Sequence, residues 1–275
     1  MKLQHQLSKL AVGLVASMAF VAAGAQTLTD VPPGDGTTTN YALYKGSTLQ
    51  FNSSYQPDRT LSTGSSTFDA YCIDPLTGFS NGQTYSTVSL DSFLNGTTTS
   101  GYAGQVARSG YSGYNLSNTS ATQSRVLSDL KELFSWAYTD SQTSADKSAA
   151  FGMAVWEIMM QDGGANGTAY AANAGQFRSY GSNGNSTSNT GDTVETATNN
   201  YLTALNTGNW TSLLGLTATQ TSWTYTVYYD TSSPYNQNFL RVTAPAPVPE
   251  PGSLALVGLA LAGVYAARRR RQQAA

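Results

Sequence analysis

Two apolar segments with basic flanks fence off the part of this chain that can fold in water. At one end, Lys2 and Lys9 accompany an apolar stretch from Leu10 to Ala23, which closes on Ala23-Gly24-Ala25. A positive n-region, an apolar h-region and a small-x-small site are the three parts of a secretory signal peptide. Cleavage is expected after Ala25, so residues 1–25 are the signal and the mature chain begins at Gln26. At the other end, Val248, Pro249, Glu250 and Pro251 lead into an apolar run from Gly252 to Ala267, and Arg268, Arg269, Arg270 and Arg271 follow. As a helix, the sixteen residues 252–267 would cover roughly 24 Å of a hydrocarbon core of about 30 Å. Such a transmembrane helix is short, and snorkelling arginines with local thinning absorb the mismatch. The arginines cannot cross the bilayer and act as a membrane stop on the cytoplasmic side. The prolines block helix propagation and keep Pro-Glu-Pro extended and accessible outside it.

In this order (Pro-Glu-Pro, apolar span, basic cluster), residues 246–275 resemble the PEP-CTERM sorting signal of Gram-negative bacteria. An ordinary C-terminal anchor would leave Pro-Glu-Pro without a role. The resemblance implies a partner, exosortase, a membrane transpeptidase-like protease that reads such tails. It also implies export through the inner membrane, transient retention there through 252–267, and a final place in the cell envelope or outside the cell.

What lies between the two signals is acidic. Of 14 basic residues, Lys2, Lys9 and the four terminal arginines belong to the signals, which leaves 8 against 16 acidic ones. That balance argues against nucleic acid and anionic lipid as partners. The single histidine, His5, falls within the signal peptide. The mature chain therefore has no Ser-His-Asp or Cys-His catalysis and no histidine-ligated metal. The single cysteine, Cys72, cannot form an internal disulfide, so an exported domain must fold without staples. No cofactor and no metal is expected. Sequons such as Asn95-Gly96-Thr97 and Asn209-Trp210-Thr211 follow from a composition rich in Asn, Ser and Thr, and glycosylation is not inferred from them.

Residues 26–40 read as a flexible Pro/Gly/Thr arm, and 41–245 as one extracellular domain. Strands are expected over 41–51, 67–73, 83–90, 222–229 and 238–242, with Asp74-Pro75 ending the second. Residues 95–120 and 181–191 read as loops. Three helices are expected between the strands. From Thr122, Val126, Leu127, Leu130, Leu133, Phe134, Ala137 and Tyr138 repeat at helical spacing. Thr143 to Asp146 looks like a capping box; it opens a helix that buries Phe151, Ala154, Val155, Ile158 and Met159 and stops at Gly163-Gly164. Asp192 to Glu195 opens a third, through Leu205, with Val194, Ala197 and Leu202 on one side. The order predicts an α+β fold: an antiparallel β-core, sandwich or barrel-like, with an inserted helical subdomain, plus the C-terminal hydrophobic helix.

Three places carry candidate chemistry. Tyr71-Cys72-Ile73-Asp74 and the later Phe151-Gly152-Met153-Ala154-Val155-Trp156 together resemble the Cys–Gln thioester domain of bacterial surface adhesins. In that family a strand cysteine bonds to a glutamine on a later helix. The likeness extends from about Phe68 through the helix toward Gln176-Phe177 and Tyr201 to Trp210. Here the glutamine position is Gly152, which has no side-chain amide, so Cys72 and Gly152 read as degenerate thioester positions. Gln161 or Gln123 would have to replace it, and Gln161 lies about 13 Å further along the helix axis. Read from its residues alone, Cys72 is a small buried hydrophobe. The second place, Trp156-Glu157, reads as a glutamate on the solvent side of a helix or one that hydrogen-bonds its own subdomain; as chemistry it would be a general acid, with Asp69 or Asp74 as notional partner, or a carbohydrate site of acid plus aromatic platform. The third, Asp162 to Thr168, offers oxygen ligands for calcium but lacks the alternating acids of an EF-hand, and a helix cap followed by a turn explains it better.

The expected function is that of a non-catalytic, exosortase-processed envelope or matrix protein, acting in adhesion or in association with exopolysaccharide or another envelope component in a biofilm. The alternative is a secreted carboxylate-dependent hydrolase acting on polysaccharide. The two differ in whether paired carboxylates face each other across an aromatic-walled cleft.

Overall fold

Strand segments here alternate apolar and polar residues, so each has one face to bury, and a closed sheet does this without leaving an edge. The structure is a computed structural model that describes residues 25–31, 39–45, 48–55, 58–96, 101–108, 111, 119–160, 169–172, 174–180, 193–218, 222–230 and 236–244, with 256, 259–262, 269–270 and 272 of the tail. In chain order the elements are β1 (Gln26–Asp30), β2 (Thr39–Lys45), β3 (Thr48–Tyr55), β4 (Asp58–Ser62), β5 (Thr67–Cys72), β6 (Gln83–Ser89), α1 (Leu90–Asn95), α2 (Tyr102–Ala107), α3 (Ser120–Ser141), α4 (Ala145–Met160), β7 (Phe177–Tyr180), α5 (Thr193–Thr207), α6 (Trp210–Leu214), β8 (Thr224–Asp230) and β9 (Phe239–Thr243). Six strands close an antiparallel barrel in the order β1-β4-β5-β9-β8-β6, and β3-β2-β7 form a separate small sheet. The helices α1 to α6 all fall between β6 and β8. The expected antiparallel core with a helical insertion is therefore present, and its core is a barrel.

The two faces of the barrel wall differ. Cys72 pairs with Phe239 and Phe239 with Tyr228, which forms one row. Phe68 lies on the same face and stacks on Tyr228 at 5.0 Å. Because side chains alternate along a strand, the neighbouring row of Tyr71, Leu240 and Val227 faces the other way, toward the helices. Tyr71 meets Phe134 of α3 and Phe151 of α4 at 5.8 and 4.8 Å between ring centroids.

α4 is the central helix. Every residue from Ser148 to Met160 is buried, as a helix packed on all sides requires. Its flanks are β5 and α5: Phe151 meets Tyr201 at 6.2 Å, and Thr198 Oγ1 donates to Ala150 O at 3.3 Å. The expected stripe of Phe151, Ala154, Val155, Ile158 and Met159 is buried, and so is the rest of that helix. Its cap sits one residue later than expected. Ser144 Oγ accepts from Lys147 N, while Thr143 Oγ1 turns back to Asp140 O. α3 starts at Thr119, whose side chain accepts from Thr122 N. α6 ends on Gly215 at φ 66°, a left-handed C-cap that glycine tolerates without strain. Its Trp210 lies parallel to Trp136 and donates its indole N–H to Glu132 at 2.8 Å.

Several expectations need correction. The arm expected over 26–40 supplies β1 and the start of β2, and Leu28 of β1 is fully buried; residues 32–38 lie outside the described residues. The single strand expected over 41–51 is two antiparallel strands, β2 and β3, with an irregularity at Leu43/Tyr44. β4, β7, α1, α2 and α6 were not foreseen. α2 falls in the stretch read as a loop over 95–120, and 181–191 lies outside the described residues. The expected C-terminal hydrophobic helix is not found as a long apolar helix: among the described residues no helix is long and apolar enough to cross a membrane. Of 252–267 only 256 and 259–262 are described, in helical conformation and exposed.

Candidate functional site

β5 ends at Cys72, and the four residues Tyr71 to Asp74 are all buried against helix and barrel. Trp156 Nε1 donates to Cys72 O at 2.9 Å, and Asp74 N lies 3.4 Å from Cys72 Sγ. With Tyr71 on Phe151 and Cys72 held by Trp156, the α4 segment 151–156 is laid along the end of β5. Gly152 is buried within that segment. It lies four residues, one helical turn, before Trp156 and so shares its side of the helix. The structure thus brings the Tyr71-Cys72 strand and the Gly152–Trp156 helix together, with no side-chain amide at position 152.

The carboxamides beside this strand end are ones that sequence reasoning missed. Gln105 of α2 donates through Nε2 to Ile73 O at 2.7 Å, and Gln237 donates through Nε2 to Asp74 O at 3.4 Å. Gln123 is buried in the first turn of α3, and Gln161 lies outside the described residues. Neither missed glutamine had a local signal, because one sits in a presumed loop and the other precedes β9.

Asp74 is the charged centre of this corner. It is fully buried, and Arg108, just after α2, meets its carboxylate at 2.5 Å. Thr77 Oγ1 donates to it at 2.9 Å and Asn238 Nδ2 approaches at 3.5 Å. Burial pushes its carboxyl up to about 6, with the Arg108 charge and the Thr77 bond pulling the other way. Asp230 on β8 is also buried and accepts from Asn236 N and Nδ2, both at 2.7 Å. Asp230 N in turn donates to Asn238 Oδ1 at 3.2 Å. Asp74, Arg108, Gln105, Gln237, Asn238 and Asp230 form a buried polar seam that joins the end of β5, α2 and the β8–β9 connection.

The remaining candidates take structural places. Glu157 is fully buried, not on a solvent face, and Trp156 is equally buried with its N–H on Cys72 O, so it offers no exposed aromatic platform. Asp69 is exposed on β5 and accepts from Thr60 Oγ1 at 2.8 Å. Asp162 to Thr168 lie outside the described residues. Among the described residues there is no group of three or more His, Cys, Asp or Glu that could hold a metal ion. Of the sorting and membrane-stop residues, Arg269 and Arg270 are described, both exposed; Val248, Pro249, Glu250, Pro251, Arg268 and Arg271 lie outside the described residues.

No curated protein and no solved structure matches the chain, and no comparison supports the thioester-domain resemblance. Residues 247–271 match the family model of the PEP-CTERM protein-sorting motif; the chain thus carries the sorting signal of an exported, exosortase-targeted protein.

Proposed function

We propose that this is a non-catalytic protein of the envelope or extracellular matrix, whose folded domain acts after exosortase has removed the tail. Its role is adhesion or association with exopolysaccharide. The observation that carries the reading is the sorting motif at residues 247–271, with an α+β fold ahead of it and no histidine after His5. Replacing Pro249, Glu250 and Pro251 by alanine is expected to leave an unprocessed form in the inner-membrane fraction. Normal release of that triple variant would contradict the reading. A glycan array probed with the processed protein tests the polysaccharide half of the proposal, and an array without binding would leave adhesion to another envelope component.

In the same reading the Cys72 site is a thioester corner without its acyl donor. The processed protein is expected to show the full mass of its polypeptide at Cys72, a thiol that titrates once the chain is unfolded, and no methylamine adduct. A peptide containing Cys72 that is lighter by one ammonia and resists alkylation in denaturant would show that another glutamine, Gln105 or Gln237, has taken the place of position 152. Peptide mapping is needed because cyclisation of an N-terminal Gln26 loses the same ammonia.

A further inference from the structure

Polar side chains share one level at one end of the barrel. Gln26, Tyr85 and Asp230 are consecutive partners across β1, β6 and β8, so their side chains stand on one face. Extending the registers of Phe239 with Tyr228 and with Cys72 by two residues brings Gln237 beside Asp230 and Asp74 beside Gln237. The contacts agree: Ile73 N donates to Asn238 O at 2.9 Å, and Gln237 Nε2 reaches Asp74 O. Tyr85 faces this layer directly: the charges of Asp230 and Asp74, with Arg59 opposing them, act on its hydroxyl.

Most of the level is closed off from solvent, with Asp74, Tyr85 and Gln237 at 0% and Asp230 at 1% exposure, while Gln26 is half-buried. Yet Gln26 Oε1, Tyr85 Oη and Gln237 Oε1 are all enclosed without a hydrogen-bond partner. Buried polar atoms in folded proteins are ordinarily satisfied, so three orphans in one layer call for an occupant. All three are oxygens. The layer also holds two carboxylates, Asp74 and Asp230; Arg108 sits on Asp74, and Arg59, paired with Asp30, is near enough for its charge to act on Tyr85. Three neutral oxygens beside the carboxylates of Asp74 and Asp230 form a ligand set that suits a hard cation.

We propose that Gln26 Oε1, Tyr85 Oη and Gln237 Oε1, with Asp230 and Asp74 as counter-charges, bind one oxygen-seeking cation of the class of Na⁺, K⁺ or Ca²⁺. The site ties β1, the strand that closes the barrel between β6 and β4, to the β8–β9 side. Cation binding and barrel closure are therefore linked. This inference stands independently of the sorting motif.

The test uses the exported protein as cells produce it, unfolded in chelator and refolded in choline chloride, NaCl, KCl or CaCl₂. One of the three metal salts is expected to raise the melting temperature over choline by roughly 5–10 °C at about a hundredfold excess over Kd. Atomic emission should find that metal at one per chain. Gln237→Leu and Tyr85→Phe should each fold and lose most of the rise; if one fails to fold, the other together with the wild-type metal content decides. Equal melting temperatures in all four salts with no retained metal would leave ordered water only and overturn the proposal. A rise undiminished in both variants would place the cation elsewhere and overturn it equally.

Discussion

Val155→Asp is expected to abolish the cooperative unfolding transition of the domain. Val155 is fully buried in the middle of α4, between Phe151 and Met159 on the same side of the helix, both also fully buried. No solvent face exists on this stretch of helix toward which an aspartate could turn. An unpaired carboxylate in such a place costs several kcal/mol even when it protonates, against a total stability of about 5–15 kcal/mol for a domain. Val155→Ala, which removes only methyl groups, should cost about 1–3 kcal/mol and leave the protein folded. Thermal melts followed by circular dichroism separate the two. An unchanged melting temperature in Val155→Asp would refute the assignment of α4 as the central helix.

Arg108→Met is expected to destabilise the protein by about 3–5 kcal/mol near pH 8 and by much less near pH 5. The guanidinium is the main group opposing the burial of the Asp74 charge, and its side chain is itself only 14% exposed. With it gone, a buried carboxylate stands uncompensated at pH 8, whereas at pH 5 the carboxyl takes up a proton. The sign in the wild type follows from the same group. Asp74 has a folded value of about 6 against an ordinary 3.8, so its contribution is fully present below the unfolded value and is lost as pH rises through about 6. Asp129, raised to about 6 by burial and by Glu132 against the pull of Arg125, contributes in the same direction. The variant therefore has to be compared with wild type at each pH. Urea midpoints at the two pH values provide the comparison. An equal loss at pH 5 and pH 8 would show that Arg108 acts through packing alone.

What could be read from the sequence depended on how strongly each segment repeats. α3, α4 and α5 were legible because several apolar residues fall at helical spacing in each, and β5 because Phe68, Ala70 and Cys72 alternate. β1 was not legible: between Gln26 and Asp30 only Leu28 is buried, and one residue has no period. β4 hid for the same reason, with Leu61 as its only buried residue. β2 and β3 merged into one strand because only residues 46 and 47 separate them. The meeting of Tyr71-Cys72 with the Gly152–Trp156 helix was expected only through the likeness to a thioester domain, since no local pattern links residues 80 apart. The polar seam was not, because Asp74 finds Arg108 34 residues away and Asn238 164 residues away, and no local pattern encodes such pairs. The solvent-side reading of Glu157 failed because a charged residue beside an apolar stripe normally marks the wet face, whereas α4 has none from Ser148 to Met160.

The central claim is that the tail is a sorting signal and is cut off. Intact-mass measurement of the protein recovered from wild-type cells tests it most directly. The account predicts a mature chain whose C-terminus lies at or near Pro249–Pro251, without the apolar run 252–267 and without Arg268–Arg271. A mature protein that still carries those four arginines would contradict it.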